Sequence, residues 1–147
     1  MQRAPELRPL SREHNAALLL AREACRNGAQ GEPSAVEATW RRLQAAQGRD
    51  LEPHFAAEEA LLFPHLRTHG RCTLADRLQR EHDAIRRTLT RTDDLSAKRL
   101  RVLGEVLEDH VRREEREAFP FLEQVLGASE LTVIEAALAA HAASGRQ

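Results

Sequence analysis

His54-Phe55-Ala56-Ala57-Glu58-Glu59-Ala60-Leu61-Leu62-Phe63-Pro64 and His110-Val111-Arg112-Arg113-Glu114-Glu115-Arg116-Glu117-Ala118-Phe119-Pro120 are one phrase written twice, His-x3-Glu-Glu-x3-Phe-Pro. Upstream of each copy stands a second shared phrase, Arg12-Glu13-His14 and Arg80-Glu81-His82. With 7 His in 147 residues, about one His-x3-Glu pair is expected by accident, but the longer agreement at identical offsets is not. The repeat is long and imperfect, which suits a duplicated helical hairpin rather than a solenoid.

The remaining residues are those of amphipathic helices. Hydrophobic residues make up 41% and charged ones 31%, with Leu and Ala abundant and no Tyr, a balance that favours helix over sheet. A net charge of −1 provides no global pull toward nucleic acid or an anionic membrane. No apolar run approaches the ~20 residues of a membrane span, and Met1 to Pro9 lacks the apolar core of a signal peptide. Cys25 and Cys72 are too few for a disulfide framework, so the chain reads as a cytoplasmic protein with reduced thiols.

Punctuation divides the chain into helices. Ser11 is placed to cap a first helix ending near Gly28. Pro33 suits the first turn of a second, which runs to about Thr68 and stops at Gly70, with a bend expected at Pro53 and a break near Gly48. A third spans about 73–92. A fourth follows Ser96 to about Leu126, and Ser129 caps a short fifth ending near Ala143. Short connections imply an all-α domain, an antiparallel up-down-up-down four-helix bundle over about 10–126 with a short C-terminal helix over about 129–143.

Residues four apart share a helix face, about 6 Å apart along the axis. Leu10, His14, Leu18 and Ala21 mark the first apolar stripe; His54, Glu58, Leu61, Leu62 and His65 the second. Leu78, His82, Ile85 and Leu89 mark the third, and Leu103, Leu107, His110, Glu114, Ala118 and Phe121 the fourth. Each stripe carries a His at its middle, and two also carry a Glu. A lone imidazole on such a stripe is ordinarily a hydrogen-bonded core residue, but Glu is almost never buried unless paired or metal-bound. Four inward His beside two inward Glu are satisfied by a pair of divalent cations. Burial alone is expected to raise the carboxyl pKa of Glu58 and Glu114 when no metal is bound.

Glu59 and Glu115, five residues after their His, read as outer or solvated carboxylates that could swing in as alternative ligands. Phe63 and Phe119 are expected to plug the core beyond the site. His65, His69 and Cys72 have spacings that could suit zinc, but His69 beside Gly70 reads better as a helix C-terminal cap. His141 has no partner phrase.

The ordered set, His14, His54-x3-Glu58, His82 and His110-x3-Glu114, resembles the haemerythrin-like (HHE cation-binding) family over nearly the whole chain. The resemblance implies a four-helix bundle around a non-haem di-iron centre, with zinc or manganese as substitutes and a bridging oxide or hydroxide. His14, His54, His82 and His110 would be terminal ligands, with Glu58 and Glu114 bridging. Dioxygen, nitric oxide or peroxide is the implied small ligand, and neither nucleic acid nor membrane is an implied partner. Two departures separate this chain from the oxygen-carrying members. Those have a further His one turn after the third-helix His, where this chain has Arg86, expected either to shield the site or to pair with Glu13 or Glu81. Their fourth-helix carboxylate follows its His by five residues, whereas the match here is four. Reaction, sensing or iron handling therefore fits better than reversible oxygen carriage. Repair of damaged iron centres, or a bundle merely stabilised by metal, are the alternatives, and whether the protein is an enzyme stays open.

Overall fold

In the computed structural model, which describes residues 2–144, a 3-10 turn at Pro5–Leu7 leads into α1 (Arg8–Gln30). α2 (Pro33–Ala46) runs through a π turn (Gln47–Leu51) into α3 (Glu52–Leu61) and, past Leu62, α4 (Phe63–Thr68). α5 covers Cys72–Thr90. α6 (Ala97–Arg113) runs through a second π turn (Glu114–Ala118) into α7 (Phe119–Val125), and α8 covers Ala128–Ser144. The described residues contain no strand, and no helix among them is long and apolar enough to cross a membrane.

The ends of these helices follow local chemistry. Glu32 accepts the N–H groups of Ser34 and Ala35 at 3.1 and 2.8 Å, with Pro33 in the first turn of α2. Ser96 caps α6 by accepting the Arg99 N–H at 3.2 Å. α1 starts before Ser11, because Pro9 fits its first turn, and the Ser11 hydroxyl instead donates to Glu115 at 2.8 Å. It also outruns Gly28 and stops at Gly31, whose φ of 71° suits the left-handed helix cap. α8 begins at Ala128 rather than after Ser129, where Glu130 accepts the Gly127 N–H.

Pro53 does not simply kink its helix. The preceding turn widens, so that the Glu52 N–H reaches the Gln47 carbonyl five residues back. The same device precedes Pro120, where the Phe119 N–H reaches the Glu114 carbonyl. The extra residue in that turn brings Phe119 and Leu122 into the core, leaving Phe121, expected on the stripe, only partly buried.

Buried side chains form two apolar clusters. One joins Ala17, Ala21 and Ala24 of α1 to Trp40, Phe55, Ile85, Leu103 and Leu107. The other joins Leu10 to Leu62, Phe63, Leu78, Phe119, Leu122 and Ile134. His14, His54, Glu58, His82, His110 and Glu114 fall in sequence between members of the two, at most 6% exposed. A polar layer is thus sandwiched between two apolar ones.

α1 and α6 set the spacing of that layer by direct backbone approach. A Cβ added at Gly28 would lie 2.6 Å from the Arg101 nitrogen and 2.8 Å from the Ala97 oxygen, and one at Gly104 would lie 2.7 Å from the Ala21 oxygen. Replacing either Gly by Ala gains up to ~1 kcal/mol of helix propensity but forces the two backbones apart. Gly104→Ala is expected to destabilise by about 1–3 kcal/mol in urea unfolding. Gly48→Ala, with open space around its Cβ, should be neutral or stabilising. An equal gain at both positions would show that α1 and α6 do not touch at Gly104.

Candidate metal centre

The duplicated phrase delivers its two Glu side chains from helices that also deliver the adjacent His. All six sequence-predicted residues meet. His14, His54 and Glu58 form one group whose donor atoms lie within 4.8 Å of one another; Glu58, His82, His110 and Glu114 form a second. Glu58 belongs to both groups. One of its oxygens lies 3.3 Å from His14 Nε2 and 3.0 Å from His54 Nε2, the other 3.2 Å from His82 Nε2. Glu114 belongs only to the second group, beside His110 Nε2 and 3.8 Å from His82 Nε2.

Among the described residues the inward atoms make one hydrogen bond, His14 Nε2 to Glu58 at 3.3 Å. Of nine buried side-chain atoms without a hydrogen-bond partner among the described residues, six are in this layer: Nε2 of His54, His82 and His110, Oε1 of Glu58, and both Glu114 oxygens. Leaving such a group unsatisfied costs roughly 1–3 kcal/mol. Six together are comparable with a domain's whole stability of about 5–15 kcal/mol. A cation facing several of these atoms at once removes that cost, so the donor set fits a metal.

Each imidazole is held from behind by a carboxylate. His14 Nδ1 donates to Glu115 at 2.7 Å, His54 Nδ1 to Glu13 at 3.3 Å, His82 Nδ1 to Glu59 at 2.7 Å and His110 Nδ1 to Glu81 at 2.9 Å. The acceptor comes each time from the preceding helical run, and the last run serves the first, so the four pairs close a ring. A carboxylate only accepts, which fixes the proton on Nδ1 and turns Nε2 inward as the donor to a cation. Glu59 and Glu115 thus stand behind the imidazoles as outer, partly exposed carboxylates. Glu13 and Glu81 belong to the repeated Arg-Glu-His phrase, but each backs an imidazole on the next helical run and not the His beside it.

Arginines grip three of the four outer carboxylates. Arg3 lies 3.2 Å from Glu115, Arg113 pairs with Glu81, and Arg86 lies 2.8 Å from Glu59. Arg86 pairs with neither Glu13 nor Glu81: it forks onto Glu52 at 2.8 and 2.9 Å, because α3 lies nearer its guanidinium. Aromatic rings complete the walls, with Phe55 stacked 4.0 Å from His82, Phe63 5.3 Å from His82 and Phe119 5.2 Å from His14. His65, His69 and Cys72 form no such group among the described residues; His69 Nδ1 instead donates to the His65 carbonyl at 2.8 Å.

Without metal the electrostatics invert the expectation for Glu58. Burial pushes its carboxyl up, but the His54 charge and hydrogen bonding from its neighbours hold it well below the usual range. Burial likewise pushes the imidazoles down, and the facing carboxylates overcome it. Glu115 and Glu58 bring His14 up to about 9; Glu58 and Glu13 bring His54 to about 10; Glu114, Glu58 and Glu59 bring His82 to about 11. His110 is raised by Glu114 and Glu81. Protons hold the layer together when no cation does.

An apolar chamber of about 210 Å³ adjoins the first group, touching His14, His54 and His110.

No curated protein and no solved structure matches the chain. Residues 6–122 match the family described as Hemerythrin HHE cation binding domain. That span contains the four His and two Glu of the buried layer with the carboxylates behind them, and the chain belongs to this cation-binding family.

Proposed function

We propose that the chain is a non-haem di-iron protein, an antiparallel four-helix bundle in which His14, His54 and Glu58 face one ion and Glu58, His82, His110 and Glu114 the other. Its centre reacts with or senses dioxygen, nitric oxide or a peroxide. The six orphaned donor atoms at the middle of the core carry this reading. The alternation of chain ends between the two apolar clusters supports the up-down arrangement.

Imidazole and carboxylate without thiolate suit iron, and two His with one carboxylate plus open positions is the pattern of reactive non-haem iron. Bound iron would supply redox chemistry and an open coordination position. The protein's own part is positional: Glu13, Glu59, Glu81 and Glu115 aim the imidazoles, and Phe55, Phe63 and Phe119 keep water from their faces. Arg86 is committed to Glu52 and Glu59 and provides no further nitrogen donor, which favours reaction or sensing over reversible carriage. Cys25 and Cys72 are unbridged, in keeping with a cytoplasmic setting. A visible band on protein purified without added metal, changing with dithionite and nitric oxide, is the expected signature; a colourless zinc protein would remove the redox reading.

The sharing of Glu58 predicts unequal losses. Glu58→Gln should empty both positions, whereas Glu114→Gln and His14→Ala should each mainly weaken one, read as metal per chain by plasma emission. A full complement in Glu58→Gln would contradict the shared role.

A second prediction concerns pH. The folded imidazole values lie above the ordinary 6.5, so in the metal-free protein their stabilisation is full below 6.5 and is lost as pH rises through about 9 to 11. Glu58, held low, acts oppositely: its contribution is present above the unfolded value of about 4.3 and lost as pH falls toward its folded value. The melting temperature of chelated protein should therefore fall from pH 6 to pH 10, while metal-loaded protein, its protons replaced, should fall much less. Parallel profiles would show that these imidazoles do not bind protons in place of metal.

A further inference from the structure

Arg3 stands in the short stretch before α1, yet its side chain is only 18% exposed. One amino group of its guanidinium donates to the Glu115 carbonyl at 2.9 Å and to the Glu115 carboxylate at 3.2 Å; the other donates to Glu123. Glu123 also accepts the Ala4 N–H at 2.6 Å, and Leu7 is fully buried in the second apolar cluster. The stretch is thereby pinned at both ends. The Arg3 guanidinium also lies 5.3 Å from the Phe119 ring, which is stacked against His14.

The Glu115 carboxylate is held at both oxygens. Oε2 accepts the His14 Nδ1–H at 2.7 Å and the Ser11 hydroxyl at 2.8 Å, and Oε1 faces Arg3. Arg86 and Arg113 support the second group of donors, because they hold Glu59 and Glu81 behind His82 and His110. In the first group Glu13, behind His54, has no arginine among the described residues, and its side chain is 52% exposed. Among those residues the arginine support of the first group therefore rests on Arg3.

We infer that Arg3 is a positioning residue for the metal centre, acting through Glu115 on His14, so that the stretch before α1 is a latch on the first ion position. The inference rests on the metal reading and assigns what governs retention and potential at one half of that site. The group behind a ligating imidazole fixes its ring orientation and raises its basicity, and losing it costs roughly 10–100-fold in metal affinity. Arg3 sits one contact further out, so its loss should cost about three- to tenfold, and only at the first position. Its charge acts as well. Without Arg3 the uncompensated Glu115 draws harder on the Nδ1 proton, His14 becomes the stronger donor, and the ferric state gains over the ferrous.

The test uses the full chain loaded with ferrous iron and challenged with an excess of a coloured ferrous chelator. In Arg3→Ala the first equivalent of iron should leave about three- to tenfold faster than in wild type, and the second at an unchanged rate. The reduction potential should shift negative in Arg3→Ala and be largely restored in Arg3→Lys, which keeps the charge. Leu74→Ala, a cavity in the second apolar cluster, is the control for stability alone and should leave the potential unmoved. In a Glu115→Gln background Arg3→Ala should have little further effect, since the coupling runs through that carboxylate. Glu123→Gln, which frees the anchor but keeps Arg3, should shift both readings in the same direction and serves should Arg3→Ala fold poorly. Release rates and potentials equal to wild type would overturn the inference, as would equal acceleration of both equivalents or an undiminished Arg3 effect without Glu115. Wild-type protein that takes up no iron would instead bring down the metal reading, which metal analysis before the chelator is added distinguishes.

Discussion

Six ionisable groups at the middle of a helical core are a liability that one kind of partner removes at once. Their apolar neighbours on either side exclude the water that would otherwise solvate them, and six of their inward atoms have no hydrogen-bond partner among the described residues. Protons relieve part of the problem, which is why the imidazoles hold theirs so far above neutrality. A pair of cations relieves all of it, leaving each Nε2 and each carboxylate oxygen facing charge. The remaining architecture serves this layer: glycine notches at Gly28 and Gly104 bring α1 and α6 to backbone contact, and the outer carboxylates aim the rings.

The layer is not symmetric, although the sequence repeat suggests that it should be. Glu58 faces three imidazoles, while Glu114 faces two and belongs to one group. Three imidazoles are backed by a carboxylate that an arginine holds; His54 is backed by Glu13, which has none among the described residues. The softer side is also the side with two His and one carboxylate, and the chamber reaches it. The two halves are similar in sequence, but contacts such as Arg86 on Glu59 make one tighter than the other.

Much of this was legible in the residues. The four stripes could be read because a 3.6-residue period places His14, His54, His82 and His110 among leucines, and because a carboxylate at His+4 shares the face. Helix starts at Pro33 and Ser96 followed from capping chemistry. The ring of outer carboxylates was not legible, because its pairs lie between helices: Glu13 serves His54 rather than the adjacent His14, and no spacing rule reports that. The two π turns were also hidden, since a proline signals a lost hydrogen bond but not whether the chain bends or widens. Misplacing Phe121 on the stripe follows from that one residue of register. Arg86 illustrates the same limit, its partners Glu52 and Glu59 lying across a helix interface.

The central claim is that this layer holds two cations around Glu58, and anomalous scattering at the iron edge from crystals of the protein purified without added metal tests it most directly. Two peaks roughly 3.5–4 Å apart, as in other two-metal sites, should flank the Glu58 carboxylate, one beside His14 and His54 and the other beside His82, His110 and Glu114. No peak, with the imidazoles and carboxylates turned to hydrogen-bond one another, would contradict the account.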